Sequence, residues 1–224
     1  MQVVTVDNLN QVEIPEEGII LFDKPKGKSS FYPVSIVRAK LKNQTGRKIK
    51  VGHTGTLDPI ATGLLILLTG KMTKQSDSFL KKDKVYLAEA TLGATSNTYD
   101  AEGEIVKTSP PTPLQIEREE VESVCRSFVG QIEQIPPIFS AIKVNGNRAY
   151  NLARSGQEVE LKPRQVEIYS LEILDYAWPI LKFRVHVSSG TYIRSLINDI
   201  GQKLGCGAYM SELRRTKVGD YEID

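Results

Sequence analysis

The run Gly18 to Asp23, GIILFD, is apolar and is followed by Lys24-Pro25-Lys26-Gly27, which predicts a buried strand ended by a turn. Across Pro33 to Asn43 the apolar positions Val34, Val37 and Leu41, with Ile36 beside them, recur at helical spacing. Lys48 to Asp58 is rich in Gly and Thr and reads as loop. Thr62 to Thr69 is a continuous apolar run, and such a run fits a strand or a buried helix equally. Asp83 to Leu92 alternates, predicting a strand with Val85, Leu87 and Ala90 on its inward side. Thr112-Pro113 supplies a cap and a first-turn proline for a helix over Leu114 to Phe128. Beyond Gly130, strands are expected over Gln131 to Ile135, Ser140 to Val144, Val166 to Leu174 and Ile180 to Val187. A short helix is expected over Arg148 to Ser155, then a helix over Thr191 to Leu204 and a last strand over Ala208 to Tyr221. With no repeat and no linker, the pattern predicts one mixed α+β domain over residues 1–224, with Pro136 to Pro163 as an inserted flap.

Composition narrows the class. The chain of 224 residues is 40% hydrophobic and 25% charged, which excludes a disordered or fibrous protein. Its longest apolar stretch, Gly63 to Thr69, is far below the roughly 20 residues needed to cross a bilayer. The N-terminus carries acids where a secretory signal needs base, and Cys125 and Cys206 give no disulfide framework. A cytoplasmic protein is the expectation. The formal charge of +2 says nothing until it is read by position. Lys24 to Lys50 holds nine basic residues and no acid, while Glu117, Glu119, Glu120 and Glu122 sit together elsewhere. Such segregation suits a face that neutralises phosphates, although a solvated basic surface accounts for it equally.

The motifs of several chemistries are missing. His53, His186, Cys125 and Cys206 have no zinc-ligand spacing, and there is no nucleophile elbow or dinucleotide fingerprint. Gly70-Lys71 lacks the upstream glycine of a phosphate loop, since Leu65 stands there. Neither metal nor cofactor is expected. The informative stretch is Gly52 to Pro59, GHTGTLDP. Asp58 is the one carboxylate between Lys24 and Ser76, and surrounding cations favour its ionised form. An ionised Asp on an Asp-Pro turn suits a nucleophile or an electrostatic stabiliser, and it also suits a plain turn residue.

Ordered blocks then carry a resemblance over nearly the whole chain. They are Asp23-Lys24-Pro25 with Gly27 and Ser30, and GHTGTLDPIATGLL from Gly52 to Leu65. Lys84 to Gly103 follows, with Tyr86, Thr98 and Asp100, and then Pro136-Pro137 with Ser140-Ala141 and Lys143. The last are Gly190-Thr191-Tyr192-Ile193-Arg194 and Leu213-Arg214-Arg215-Thr216. In these blocks the chain resembles the TruB-type tRNA pseudouridine-55 synthases. The departures are small: Val187 where Cys is common, and Ser96-Asn97 where Thr-Asp is usual.

The resemblance implies a pseudouridine-synthase fold, with a mixed, largely antiparallel central sheet flanked by helices and loops and an RNA-contacting flap. It implies Asp58 as the catalytic aspartate, Tyr86 as the tyrosine that stacks on the target base, and Arg194 as the arginine paired with the carboxylate. Tyr192 and Leu213 would line the uridine pocket, His53 would contact the RNA, and Lys24 and Pro25 would form the turn beside the pocket. The partner implied is the T-arm stem-loop of tRNA, with no cofactor, no membrane and no obligate protein partner; a monomer is expected. Many members continue into a C-terminal domain of the PUA type, and the expectation is that this sequence has none. Two rival readings are a guide-RNA-dependent synthase and a non-catalytic tRNA-binding or folding protein on the same fold. The presence of Asp58, Tyr86 and Arg194 together argues against the latter.

Overall fold

A computed structural model describes residues 2–108, 116–140, 142–144, 147–148 and 161–224. The chain forms two compact units, Met1–Leu87 with Leu213–Asp224, and Ala88–Glu212.

The first unit is built on β1 (Val3–Val4), β2 (Gly18–Lys24), β3 (Val51–His53) and β4 (Thr62–Thr69). It also holds the last part of β13 (Ala208–Val218) and β14 (Tyr221–Glu222). Strand β4 is central: β2 and β3 pair with it antiparallel, and β13 pairs with it parallel through Arg214↔Thr62 and Arg215↔Gly63. Every residue of β4 after Thr62 is buried, on both faces of the sheet. That is why its sequence showed no alternation, and the structure resolves it as a strand. Leu64, Ile66 and Leu68 pack in one cluster with Leu21, Phe79 and Val218, while Leu65 and Leu67 are buried on the opposite face. Helix α1 (Phe31–Thr45) buries Val34, Val37 and Leu41, as their spacing predicted, and ends at Gly46 in the left-handed conformation. A short 3-10 helix (Gly70–Gln75) leads into the short α2 (Ser76–Leu80).

Strand β5 (Lys84–Leu92) begins in the first unit and ends in the second. In the second unit the order is β5, β12 (Ile180–Val187), β11 (Arg164–Ala177), β8 (Gly130–Gln134), with β11 antiparallel to both its neighbours. A separate pair joins β6 (Ala94–Ser96) to β7 (Ile105–Lys107), and another joins β9 (Lys143–Val144) to β10 (Asn147–Arg148). Among the described residues, helices α3 (Arg118–Arg126) and α4 (Ile193–Lys203) complete it. Helix α4 buries Leu196, Ile197 and Ile200, and α3 buries Val121 and Cys125. The architecture is the mixed α+β, largely antiparallel one expected.

Several sequence expectations need correction. Within the supposed loop 48–58, residues Val51–His53 form β3, because their backbone completes the edge of β4. The inward side of β5 is Tyr86, Ala88, Ala90 and Leu92, whereas Leu87 is exposed. Sparse apolar side chains on that strand concealed its phase. Helix α3 starts at Arg118 with Glu117 as its extended cap; Thr112 and Pro113 lie outside the described residues. The last strand stops at Val218, turning through Gly219 into β14. Of the strand expected over 140–144, Lys143–Val144 is strand. The helix over 148–155, apart from Arg148 at the end of β10, and most of the flap over 136–163 lie outside the described residues.

Candidate active site

Asp58 sits in the loop that carries the chain from β3 to β4, half-buried, with its neighbours on both sides tied down. Before it, the Ser30 hydroxyl accepts from the Leu57 N–H at 2.8 Å and donates to the Leu57 carbonyl at 2.9 Å. Ser30 stands at the N-cap of α1 yet makes no capping bond, because its hydroxyl serves Leu57 instead. After Asp58, the Pro59 carbonyl accepts from the Gly27 N–H at 2.8 Å and from Lys24 Nζ at 3.3 Å. The same ammonium donates to the Pro25 carbonyl at 2.9 Å and the Lys28 carbonyl at 2.7 Å, and its side chain is fully buried. A charge removed from water needs such partners, so Lys24 and Pro25 act here as the brace of a turn. The Asp58 carbonyl accepts from the Ala61 N–H at 3.1 Å, closing the Asp-Pro turn.

Arg215 anchors the other side of the loop. Its side chain is buried, donating from Nε to the Leu64 carbonyl at 2.8 Å and from one Nη to the Gly55 carbonyl at 3.1 Å. Gly55 has φ of 128°, a conformation reserved for glycine, which turns its carbonyl toward the guanidinium. His53, at the end of β3, lies near this charge. Burial lowers its pKa, and the Arg215 charge lowers it further, so the ring is neutral at neutral pH. Its Nδ1 is buried with no hydrogen-bond partner among the described residues. An orphan ring nitrogen of this kind is available to a ligand.

Tyr86 is buried on the inward side of β5, and Leu213 is buried in β13, where its carbonyl accepts from Thr62 Oγ1 at 3.4 Å. Next to Tyr86 on the chain, the Val85 carbonyl accepts from Thr216 Oγ1 of β13 at 3.4 Å. Lys84 begins the same strand. Burial, reinforced by Arg215 and opposed by Asp83, pushes its pKa down to about 8. Because the folded pKa lies below the unfolded one, the cost of charging Lys84 is fully present below about pH 8 and disappears as pH rises toward 10.5. A neutral amine still has two N–H bonds for its two acceptors, the Leu80 and Lys82 carbonyls. Between pH 7 and pH 10 we expect wild type to gain urea stability relative to Lys84→Met; a constant gap would refute the shift.

The other two candidates belong to the second unit, at the start of α4. Arg194 is buried and donates to the Phe139 carbonyl at 2.9 Å and the Thr98 carbonyl at 3.1 Å, with Asp100 Oδ2 at 3.5 Å. Asp100 is itself held, accepting from Thr98 Oγ1 at 2.6 Å and from the Glu102 N–H at 3.0 Å. Tyr192 is the N-cap of α4. The Gln134 side chain accepts from its N–H at 2.8 Å and donates to its carbonyl at 3.0 Å. The Arg194 side chain and the Tyr192 backbone are therefore fixed before any substrate arrives.

Sequence reasoning gave no role to Ser30, Asp100, Gln134 or Arg215. Ser30, Asp100 and Arg215 lie inside the matching blocks, which was the available signal; Gln134 had none. For Ser30 the geometry makes a prediction. Ser30→Ala leaves the buried Leu57 groups unpaired and lets the loop shift, so kcat should fall up to about 100-fold with KM little changed. Ser30→Thr should restore it, and an unaltered kcat in the alanine variant would reject the positioning role.

Among the described residues, no cluster of three or more His, Cys, Asp or Glu could hold a metal ion. No described helix is long and apolar enough to cross a membrane. Both cysteines are buried, and burial pushes the Cys125 thiol up to about 12, which makes it a poor nucleophile.

Comparisons with known proteins give the family. A solved H/ACA RNP bound to a substrate RNA containing 2′-deoxyuridine matches with a TM-score of 0.65 and 30% identity over 93% of the chain. A Cbf5-Nop10-Gar1 complex matches with a TM-score of 0.67 and 33% identity. The chain spans about half of those two proteins, 50% and 51%. The class is that of the pseudouridine synthases, which are isomerases. The model of the TruB family pseudouridylate synthase N-terminal domain matches residues 39–193, and that of the tRNA pseudouridylate synthase B C-terminal domain matches 194–224. Proteins called tRNA pseudouridine synthase B are 46% identical in Clostridium kluyveri and 49% identical in Bacteroides fragilis. The alignments cover 92% and 93% of this chain, and 69% and 89% of those relatives. The chain belongs to the TruB family.

Proposed function

We propose that this protein converts uridine to pseudouridine in the T-loop of tRNA, at position 55, with Asp58 as nucleophile. The observation that carries the reading is the bracing of Asp58 within an otherwise basic segment, Leu57 held by Ser30 and Pro59 by Lys24 and Gly27. A nucleophile held in place before the substrate binds has its orientation entropy already spent. The reaction breaks the N1–C1′ bond, turns the base and joins C5 to C1′; the C5 proton is lost and N1 gains one. Nothing is oxidised, so no redox partner is required. Asp58 can serve this by attack at C1′, by addition at C6, or by taking the 2′ proton. The base must first leave its stack, and stacking on Tyr86 offsets part of that cost. We assign Arg194 to the catalytic residues and Tyr192 to the substrate-binding ones, as the resemblance implies, Leu213 to the uridine pocket, and the orphan Nδ1 of His53 to the RNA.

The basic segment supplies affinity. Arg47, Lys48 and Lys50 line one groove with Lys71 and Lys74, five cations against the two carboxylates Glu16 and Glu17, the first of which pairs with Arg47. Converting Lys48, Lys50 and Lys74 to Gln should weaken binding of a T-arm stem-loop and flatten its log–log salt slope by about 2 to 3, and an unchanged slope would remove the groove from the account. The relatives at 46% and 49% identity carry the name of a tRNA enzyme, which favours a synthase acting alone over a guide-dependent one. Incubating the purified chain with an unmodified T-arm stem-loop separates these readings. Product without added proteins supports the first; product only with guide RNA and partners supports the second. Tight binding without product would make it a non-catalytic RNA-binding protein.

A further inference from the structure

The start of α1 carries a feature that the reaction does not use. Phe31, the first residue of the helix, is 57% exposed, the same as Val106 and just below Ile135 among the large apolar side chains. The Arg38 guanidinium lies over the Phe31 ring at 5.6 Å, and one residue on, Lys28 Nζ lies over the Tyr32 ring at 5.3 Å. Two aromatic rings are thus interleaved with two cations in a stretch that has no acid from Lys24 to Lys50, and the first turn of the helix adds none. Exposed aromatics set among cations are what unpaired nucleotides recognise, since every base has a face to stack and a phosphate to neutralise.

The location ties this cluster to the site. Ser30 and Leu57 share two hydrogen bonds, so Phe31 and Asp58 each follow directly on one member of a bonded pair. Arg38 is also steadied, donating from Nη2 to the Val51 carbonyl of β3 at 3.0 Å. A guanidinium already fixed under one face of a ring loses little freedom when a base settles on the other.

We infer that Phe31, backed by Arg38, is a stacking platform for one unpaired nucleotide of the RNA next to the target uridine, with Lys28 meeting its phosphate. The inference deepens the proposed function and rests on it. The test measures the Kd of an unmodified T-arm stem-loop for wild type and for Phe31→Ala, Phe31→Leu and Phe31→Trp, alongside wild-type pseudouridine formation on the same RNA. Exposure of Phe31 means that none of the variants should disturb folding. The alanine and leucine variants should bind fivefold to a hundredfold more weakly, the range for loss of one base–aromatic stack, while tryptophan should bind as well as wild type. Equal Kd for wild type and alanine would overturn the platform. Full recovery by leucine would overturn it too, since an apolar contact would then suffice. Wild-type turnover is read separately: its failure would count against the synthase reading, while the binding comparison alone decides the role of Phe31.

Discussion

Asp58→Asn should abolish pseudouridine formation, lowering the single-turnover rate on a T-arm stem-loop by on the order of 10⁴-fold or more, the scale seen when a covalent nucleophile is removed. The amide has almost the shape of the carboxylate, and the bonds that hold Leu57 and Pro59 come from Ser30, Gly27 and Lys24, none of which involves the Asp58 side chain. The loop should therefore keep its course. What is lost is the negative charge and the nucleophilic oxygen, and an amide can neither attack carbon nor take a proton at neutral pH. RNA affinity should stay within about threefold of wild type, because removing one negative charge beside a phosphate backbone does not weaken attraction. Activity above a tenth of wild type would mean that another group does the chemistry.

The second large effect is on the fold. Gly63 lies where β4 meets β13, with φ of 97°, and a Cβ there would stand 2.3 Å from the Arg215 carbonyl oxygen and 2.8 Å from its nitrogen. Both are backbone atoms of the paired strand, so no side chain can swing away. Gly63→Ala must part the strands or strain the residue, costing roughly 3 kcal/mol or more from strain and overpacking together. For a chain of this size that is a fall in Tm of about 6 to 12 °C. The effect should reach the site, because Arg215 holds the Gly55 carbonyl in the Asp58 loop. Thermal melts followed by circular dichroism check it, and a Tm within about 2 °C of wild type would show that the two strands can part at little cost.

Much of this was legible in the sequence, for identifiable reasons. The apolar stripe of α1 and the runs that became β2 and β12 are set by side chains that must be buried, and their boundaries came out within a few residues. Strand β3 was hidden because three residues, Val51–His53, are strand only through pairing with β4, a long-range condition that no local pattern carries. The inward side of β5 was misread because Lys84 and Tyr86 are buried on it while apolar Leu87 faces out. At the site, Asp58 stood out by charge isolation. Its supports did not, since no local pattern separates Ser30 or Arg215 from the other polar residues of the matching blocks. Only the fold reveals that a serine capping position is spent on a loop 27 residues later, and that an arginine is buried under a glycine carbonyl.

The central claim is that this chain alone isomerises the T-loop uridine of tRNA. It is tested most directly by incubating the purified protein with a full-length unmodified tRNA transcript and mapping pseudouridine along it. The account predicts about one pseudouridine per molecule, at position 55, with no added protein, guide or cofactor. Modification elsewhere, or none at all, would contradict it.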